Sequence, residues 1–184
     1  MLALVPCLVL ALVPGVFAGE LEGVTMPDTA TVGGTPLVLN GMGLREKLYI
    51  NVYVGGLYLP SKTTDGKSAI EQDVAKKMVM TFQYSGGVSV EKMVEAYEEG
   101  LTNNASGLKA GQAENFKKFY SWLGEMGAGD QIVYEYVPGT GTTVSVKGAV
   151  KGTIAGADFM KALFSIYLGG TPPTANLKSG LLGG

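Results

Sequence analysis

The sequence has 184 residues, which is the length of one domain at the usual ~100–200 residues per domain. Fourteen basic and sixteen acidic side chains give a formal net charge of −2, without the positive excess typical of nucleic-acid-binding proteins. Histidine is absent, which excludes Ser-His-Asp and Cys-His catalysis and histidine-ligated zinc or haem. The hydrophobic fraction of 46% is sufficient for a packed core.

Residues 1–18 are apolar and uncharged, and they end in Ala18 before Gly19. This pattern is typical of the hydrophobic region and small-residue cleavage site of a secretory signal. A membrane anchor is the alternative, but Pro6 and Pro14 disfavour a spanning helix of this borderline length. We therefore expect a signal peptide cleaved after Ala18, a periplasmic or secreted protein, and no transmembrane anchor after cleavage.

The single cysteine, Cys7, lies inside the predicted signal. The mature chain, residues 19–184, therefore lacks cysteine, which excludes a disulfide, a thiolate nucleophile and a sulfur-bound metal. We expect neither a metal nor a cofactor. With no linker or repeat in the sequence, residues 19–184 are predicted to form one domain.

The first part of the mature chain is predicted to form strands, at residues 24–32, 37–40 and 48–59. In the longest of these, Tyr49 and Tyr53 would point to the same face, because side chains alternate along a strand. Both faces of this strand are largely apolar, which suits a central strand that is covered on both sides.

The rest of the chain alternates between amphipathic helices and strands. Helices are predicted between Ser89, a suitable N-cap, and Asn104, and at residues 111–125 and 158–168. Further strands are predicted at residues 77–84, 131–137, 142–146 and 148–154. Strands joined by hairpins form an antiparallel sheet, and helices inserted between them collect on one face. The element order therefore predicts an α+β domain.

Arg45 is the only arginine, against thirteen lysines. Its planar guanidinium can bind a carboxylate through two hydrogen bonds, which lysine cannot do. It directly precedes the long predicted strand, so Tyr53 and Tyr49 could lie beside it at the end of a cavity. The alternatives are a surface arginine next to Glu46 and tyrosines that only pack on the sheet.

Several segments, taken together in their order and spacing, resemble the bacterial chalcone isomerase-like family. The matching segments span nearly all of the mature chain and include residues 39–45 (LNGMGLR), 52–60 (VYVGGLYLP), 136–142 (YVPGTGT) and 177–183. The resemblance implies an open-faced β-sandwich, in which a long antiparallel sheet carries a helical layer on one face and a ligand cleft lies between them. This agrees with the α+β element order.

The resemblance also implies roles for individual residues. In the plant chalcone isomerases, an arginine after a Gly-x-Gly segment activates the substrate for an intramolecular Michael addition, and Arg45 matches its position. Tyr53 stands where an assisting threonine is expected, and Ser89 and Ala96 stand in place of a catalytic tyrosine and asparagine. The catalytic set is therefore incomplete. Related plant proteins that bind fatty acids pair the arginine with a tyrosine, as Arg45 and Tyr53 would.

Three functions follow from these observations. The first is a non-catalytic protein that binds a small apolar carboxylate such as a fatty acid, anchored by Arg45 with a second hydrogen bond from Tyr53. The alternative is an isomerase or intramolecular lyase, with Arg45 stabilising an enolate and Tyr53 or Tyr49 transferring a proton. Such a base would need Arg45 to lower its pKa from about 10. The third is a domain whose cleft is filled by Tyr49, Met80 and Trp122.

Overall fold

A computed structural model describes residues 17–184, with side chains from residue 19 onward. Within this range the chain forms nine strands: β1 (Phe17–Leu21), β2 (Val24–Pro27), β3 (Thr29–Val32), β4 (Thr35–Lys47), β5 (Ile50–Leu59), β6 (Lys76–Phe82), β7 (Gln131–Val137), β8 (Gly141–Val146) and β9 (Ala149–Ile154). Strands β3 to β9 form one sheet in chain order, with every neighbouring pair antiparallel. Strands β1 and β2 form a separate antiparallel hairpin.

The described residues also form six α-helices: α1 (Gly66–Glu71), α2 (Val90–Asn104), α3 (Ser106–Lys109), α4 (Ala113–Tyr120), α5 (Ala157–Leu168) and α6 (Ala175–Leu181). Helix α2 begins where expected, because the Ser89 hydroxyl accepts a hydrogen bond from the Lys92 N–H. Helix α5 is buried on nearly all sides. No helix among residues 17–184 has the length and apolar character needed to span a membrane.

The two faces of the sheet are covered by different elements. On one face, Leu57 and Met78 belong to a cluster that includes Phe159 of α5 and residues of α2 and α4. On the other face, Val54 and Tyr58 pack with residues of the β1–β2 hairpin. Strand β5 is therefore covered on both sides, as its apolar pattern predicted. The α+β class, with a long antiparallel sheet and a helical layer, is also confirmed.

The boundary between β4 and β5 differs from the prediction. Residues 41–47, which lie between the predicted strands at 37–40 and 48–59, continue β4. The glycines of this segment serve a close approach: a Cβ at Gly43 would lie 2.2 Å from the backbone oxygen of Leu177 in α6. Leu48 and Tyr49, expected to begin the long strand, form the turn of the β4–β5 hairpin.

Smaller differences occur elsewhere in the chain. The expected strand at residues 24–32 is divided into β2 and β3, and the expected helix at residues 111–125 ends at Tyr120. Helices α1 and α6 were not predicted. Most of the predicted signal peptide, residues 1–16, lies outside the described residues. Its last two residues begin β1, in which Phe17 pairs with Pro27.

Candidate functional site

A cavity of about 270 Å³ lies between the sheet and helices α2 and α5. Its floor is buried and mainly apolar. The floor residues are Tyr53, Met80, Phe82, Met93, Tyr97, Gly100, Ile166 and Tyr167. Its mouth is exposed and polar. The mouth residues include Glu46, Lys47, Lys92, Glu99, Asn103 and Thr171. The cavity therefore combines an apolar interior with a charged opening, as expected of a site for a small amphipathic ligand.

Arg45 and Tyr53 lie side by side on the cavity wall. They are directly opposite each other in the β4–β5 ladder, and residues paired in this way project to the same face. The Cζ atom of Arg45 lies 5.6 Å from the centroid of the Tyr53 ring, within the range of a cation–π contact. The antiparallel register of one hairpin thus brings together the two residues that the sequence singled out.

The polar groups of this pair have no hydrogen-bond partner among the residues whose side chains the structure describes. Arg45 is half-buried and Tyr53 is 5% exposed. Neither the guanidinium nor the Tyr53 hydroxyl hydrogen-bonds to another side chain or to the backbone in the described part of the chain, where the ion pairs all involve lysines. Five N–H donors and one hydroxyl are thus available to a ligand in the cavity.

Tyr49 was predicted to share this site, and the structure corrects that placement. Its side chain is 96% exposed at the tip of the β4–β5 hairpin and does not line the cavity. Tyr49 and Tyr53 share a face only if one strand runs through both residues. The turn at Leu48 and Tyr49 interrupts that strand, so only Tyr53 points into the cavity.

Three further tyrosines surround the inner end of the cavity. Tyr97 of α2 and Tyr167 of α5 line it, and the hydroxyl oxygen of Tyr134 in β7 lies 2.5 Å from that of Tyr97. Tyr97 and Tyr167 lie on helices that were predicted from their amphipathic pattern, and nothing in that pattern connects the two residues with Arg45. Their periodicity gave no signal of this proximity, which is created by long-range packing.

Burial determines the protonation state of these phenols. It raises the pKa of Tyr53 well above the ordinary value of about 10, and the nearby Arg45 guanidinium only partly offsets this. Burial likewise raises the pKa of Tyr97, against smaller opposing effects of hydrogen bonds to Tyr134 and Tyr167 and of Arg45. The phenols of Tyr53, Tyr97, Tyr134 and Tyr167 are therefore all protonated near neutral pH and act as hydrogen-bonding groups.

The remaining residues considered from sequence take different positions. Ser89 caps α2, whereas Ala96 lines the cavity on the same helix. Met80 contributes to the floor, but Trp122 packs near Gly152 and does not line the cavity. The cleft is thus not filled by Tyr49 and Trp122. No cluster of acidic side chains within residues 17–184 is arranged to hold a metal ion.

Comparison with known proteins places this architecture in a family. The sequence matches the family model described as chalcone isomerase-like over residues 18–183. A search of curated proteins returned no significant match. A solved structure with the same fold is the crystal structure of a fatty-acid binding protein from Arabidopsis thaliana, with a TM-score of 0.70 and 18% identity, covering 90% of this chain and 95% of that one. Because the family model spans almost the whole described range, the chain belongs to the chalcone isomerase-like family.

Proposed function

We propose that the protein binds a small apolar carboxylate, such as a fatty acid, in the cavity between sheet and helices without altering it chemically. The observation that carries this proposal is the pairing of Arg45 and Tyr53, whose donors face an apolar cavity and have no partner within residues 19–184. The guanidinium would hold the carboxylate through two hydrogen bonds, and the Tyr53 hydroxyl would donate a third. The acyl chain would lie against Met80, Phe82 and their apolar neighbours.

Cavity size limits the ligand. A volume of about 270 Å³ is just below the range of roughly 300–1,000 Å³ typical of pockets for drug-sized ligands. A carboxylate with a short or medium acyl chain fits within it, and a longer chain would have to extend through the mouth. We therefore expect each added methylene to increase affinity only up to a medium chain length, because further carbons would extend out of the cavity into solvent.

The alternative, an isomerase or intramolecular lyase, finds partial support in the phenols that line the cavity, since they could donate to an enolate oxygen beside Arg45. An isomerase or lyase would also need a base that removes a proton from the substrate. Tyr53 holds its proton because burial raises its pKa, and the two carboxylates of the mouth, Glu46 and Glu99, are exposed. Binding without turnover is therefore the better-supported function.

Calorimetric titration with saturated fatty acids of increasing length, and with octanol as a neutral analogue, tests the proposal. We expect octanoate to bind and octanol to bind far more weakly. Arg45→Ala should reduce octanoate affinity by at least about tenfold, whereas Lys92→Ala, which removes an exposed cation of the mouth, should leave it nearly unchanged. Equal affinity of Arg45→Ala and the parent would contradict the assigned anchor, and conversion of chalcone followed by absorbance would favour the enzyme.

We also propose that the protein is exported and cleaved after Ala18. Removal of residues 1–18 would leave the Gly19–Met26 pairing of the β1–β2 hairpin intact, so cleavage is compatible with the fold. Intact mass spectrometry of the protein recovered from an expressing cell should find Gly19 at the N-terminus. Recovery of the full-length chain from the cytoplasmic fraction would contradict export.

A further inference from the structure

The tip of the β4–β5 hairpin exposes apolar side chains at a cost to the fold. Leu48 is 82% exposed, Tyr49 96% and Ile50 40%. Leu48 and Tyr49 also have positive φ angles, 51° and 64°, in a two-residue turn where Asn-Gly is strongly favoured. The chain thus places bulky side chains where they strain the backbone and make little contact with the protein. Such a segment indicates a role outside the folded domain itself.

This tip is continuous with the mouth of the cavity. Glu46 and Lys47, which immediately precede Leu48, line the mouth, and Arg45 lies next to them on the wall. The apolar tip therefore projects from the same end of the hairpin that carries the unpaired guanidinium. Whatever surface the tip contacts would be brought to the opening of the cavity.

The shape and size of the tip favour a membrane over a protein partner. Three side chains at a hairpin turn expose on the order of 400 Å², about half of the roughly 800 Å² per partner in a stable protein–protein interface. The tip projects from the hairpin and offers no groove. Tyrosine and leucine flanked by a lysine is a composition suited to the boundary between headgroups and acyl chains.

The charges around the tip indicate what kind of lipid headgroup the tip would contact. The charged residues next to the tip balance: Arg45 and Lys47 are offset by Glu46 and by Glu22, whose carboxylate accepts a hydrogen bond from Asn51. On the other side of the mouth, Lys92 is offset by Glu99. Attraction to anionic lipid is therefore small, and insertion of apolar side chains would be the main source of binding.

We propose that Leu48, Tyr49 and Ile50 insert into the surface of a zwitterionic phospholipid bilayer, with the mouth of the cavity held against the lipid. Docking does not depend on the identity of the cavity ligand. If the ligand is an acyl carboxylate, docking would let it pass between bilayer and cavity without crossing bulk water.

Flotation with phosphatidylcholine vesicles that contain no free carboxylate tests the proposal. We expect the parent protein to float with the vesicles and its binding to be insensitive to salt. Leu48→Asn combined with Tyr49→Gly installs the preferred turn sequence, so the variant should fold with unchanged or higher thermal stability. Its vesicle binding should fall at least about tenfold. Val150→Ser, which removes a 70% exposed apolar side chain from β9, serves as the matched control and should float like the parent.

Several outcomes would overturn the proposal. Insertion of the tip would be ruled out if the parent fails to float with the vesicles. It would also be ruled out if the tip variant and Val150→Ser lose vesicle binding to the same extent. A concentration-dependent dimer in analytical ultracentrifugation that the tip variant abolishes would assign the tip to self-association. Ligand binding in solution is a separate readout, because Leu48 and Tyr49 do not line the cavity. The tip variant should retain it, so failure of docking and failure of the proposed ligand site are distinguishable.

Discussion

Replacing Tyr53 by phenylalanine removes one hydroxyl and leaves the aromatic ring under Arg45 in place. In the structure this hydroxyl has no hydrogen-bond partner among the described residues, and its residue is 5% exposed. The hydroxyl therefore contributes nothing to the free energy of folding through hydrogen bonding, and it faces the cavity, where solvent reaches it. We expect Tyr53→Phe to match the stability of the parent within about 1 kcal/mol, which is roughly 2–4 °C in Tm for a chain of this size.

The affinity of Tyr53→Phe for a carboxylate ligand, in contrast, should fall. A hydrogen bond to a charged group contributes about 1.5–3 kcal/mol, so loss of the Tyr53 donor should weaken carboxylate binding by roughly ten- to a hundredfold. Thermal denaturation of the free protein and calorimetric titration with octanoate measure the two effects. Arg45 would still hold the carboxylate, which is why binding is weakened and not abolished.

Tyr58 provides a matched control on the same strand. It is buried on the opposite face of β5, and its hydroxyl donates a hydrogen bond of 3.0 Å to the Pro27 carbonyl. Tyr58→Phe should therefore lose about 1 kcal/mol of stability and keep its affinity for octanoate. If Tyr53→Phe instead loses stability and binds octanoate as tightly as the parent, Tyr53 is a structural residue and the reasoning about its free hydroxyl is refuted.

Three other predictions test the cavity and the core. Ala96→Phe places an aromatic ring in the cavity, so octanoate binding should become undetectable by calorimetry while the far-ultraviolet circular dichroism spectrum is unchanged. Burial lowers the pKa of Lys76 to about 8, so the unfolded chain binds more protons than the folded one between pH 8 and 10. The stability of the parent relative to Lys76→Met, measured in urea, should then rise by about 2 kcal/mol across this window, because the buried tyrosines contribute equally to both proteins. Gly43→Ala should lose at least about 2 kcal/mol in the same assay, because its Cβ meets the Leu177 backbone at 2.2 Å.

Most of the fold could be predicted because its main elements carry their own periodicity. Helices α2 and α5 have apolar stripes, and α2 has a capping serine. The hairpin of β7 and β8 has alternating residues around a glycine-rich turn. Helices α1 and α6 have six and seven residues, too few to establish a helical stripe. Their positions depend on contacts distant in sequence, such as that of α6 with the glycines of β4.

The candidate site was predictable only in part, for a similar reason. Arg45 and Tyr53 could be named because one is unique in composition and both fall in segments that resemble the family. Tyr49 was misplaced because its turn lacks the Asn or Gly that usually marks a two-residue hairpin loop. Tyr97 and Tyr134 meet across the fold, from a helix and a strand 37 residues apart, and no local pattern predicts that contact.

The two ends of the sheet differ in how most of their polar side chains are satisfied. At the end next to α1 and α6, most buried polar side chains are paired within the chain, and the Thr142 hydroxyl is an exception without a partner among the described residues. The Asn40 amide donates to the Leu181 and Thr63 carbonyls, and the Lys76 ammonium donates to the carbonyls of Ala69 and Gln72.

At the other end, the guanidinium of Arg45 and the hydroxyl of Tyr53 are unpaired among the described residues, and Leu48 and Tyr49 are exposed on a turn with positive φ angles. All of these features lie within one hairpin, and the exposed bulky side chains on the turn cost stability in the isolated chain. A folded chain retains such costs in one place when a partner relieves them there. A carboxylate would satisfy the donors and a lipid surface would cover the tip, so both partners are expected at the mouth of the same cavity.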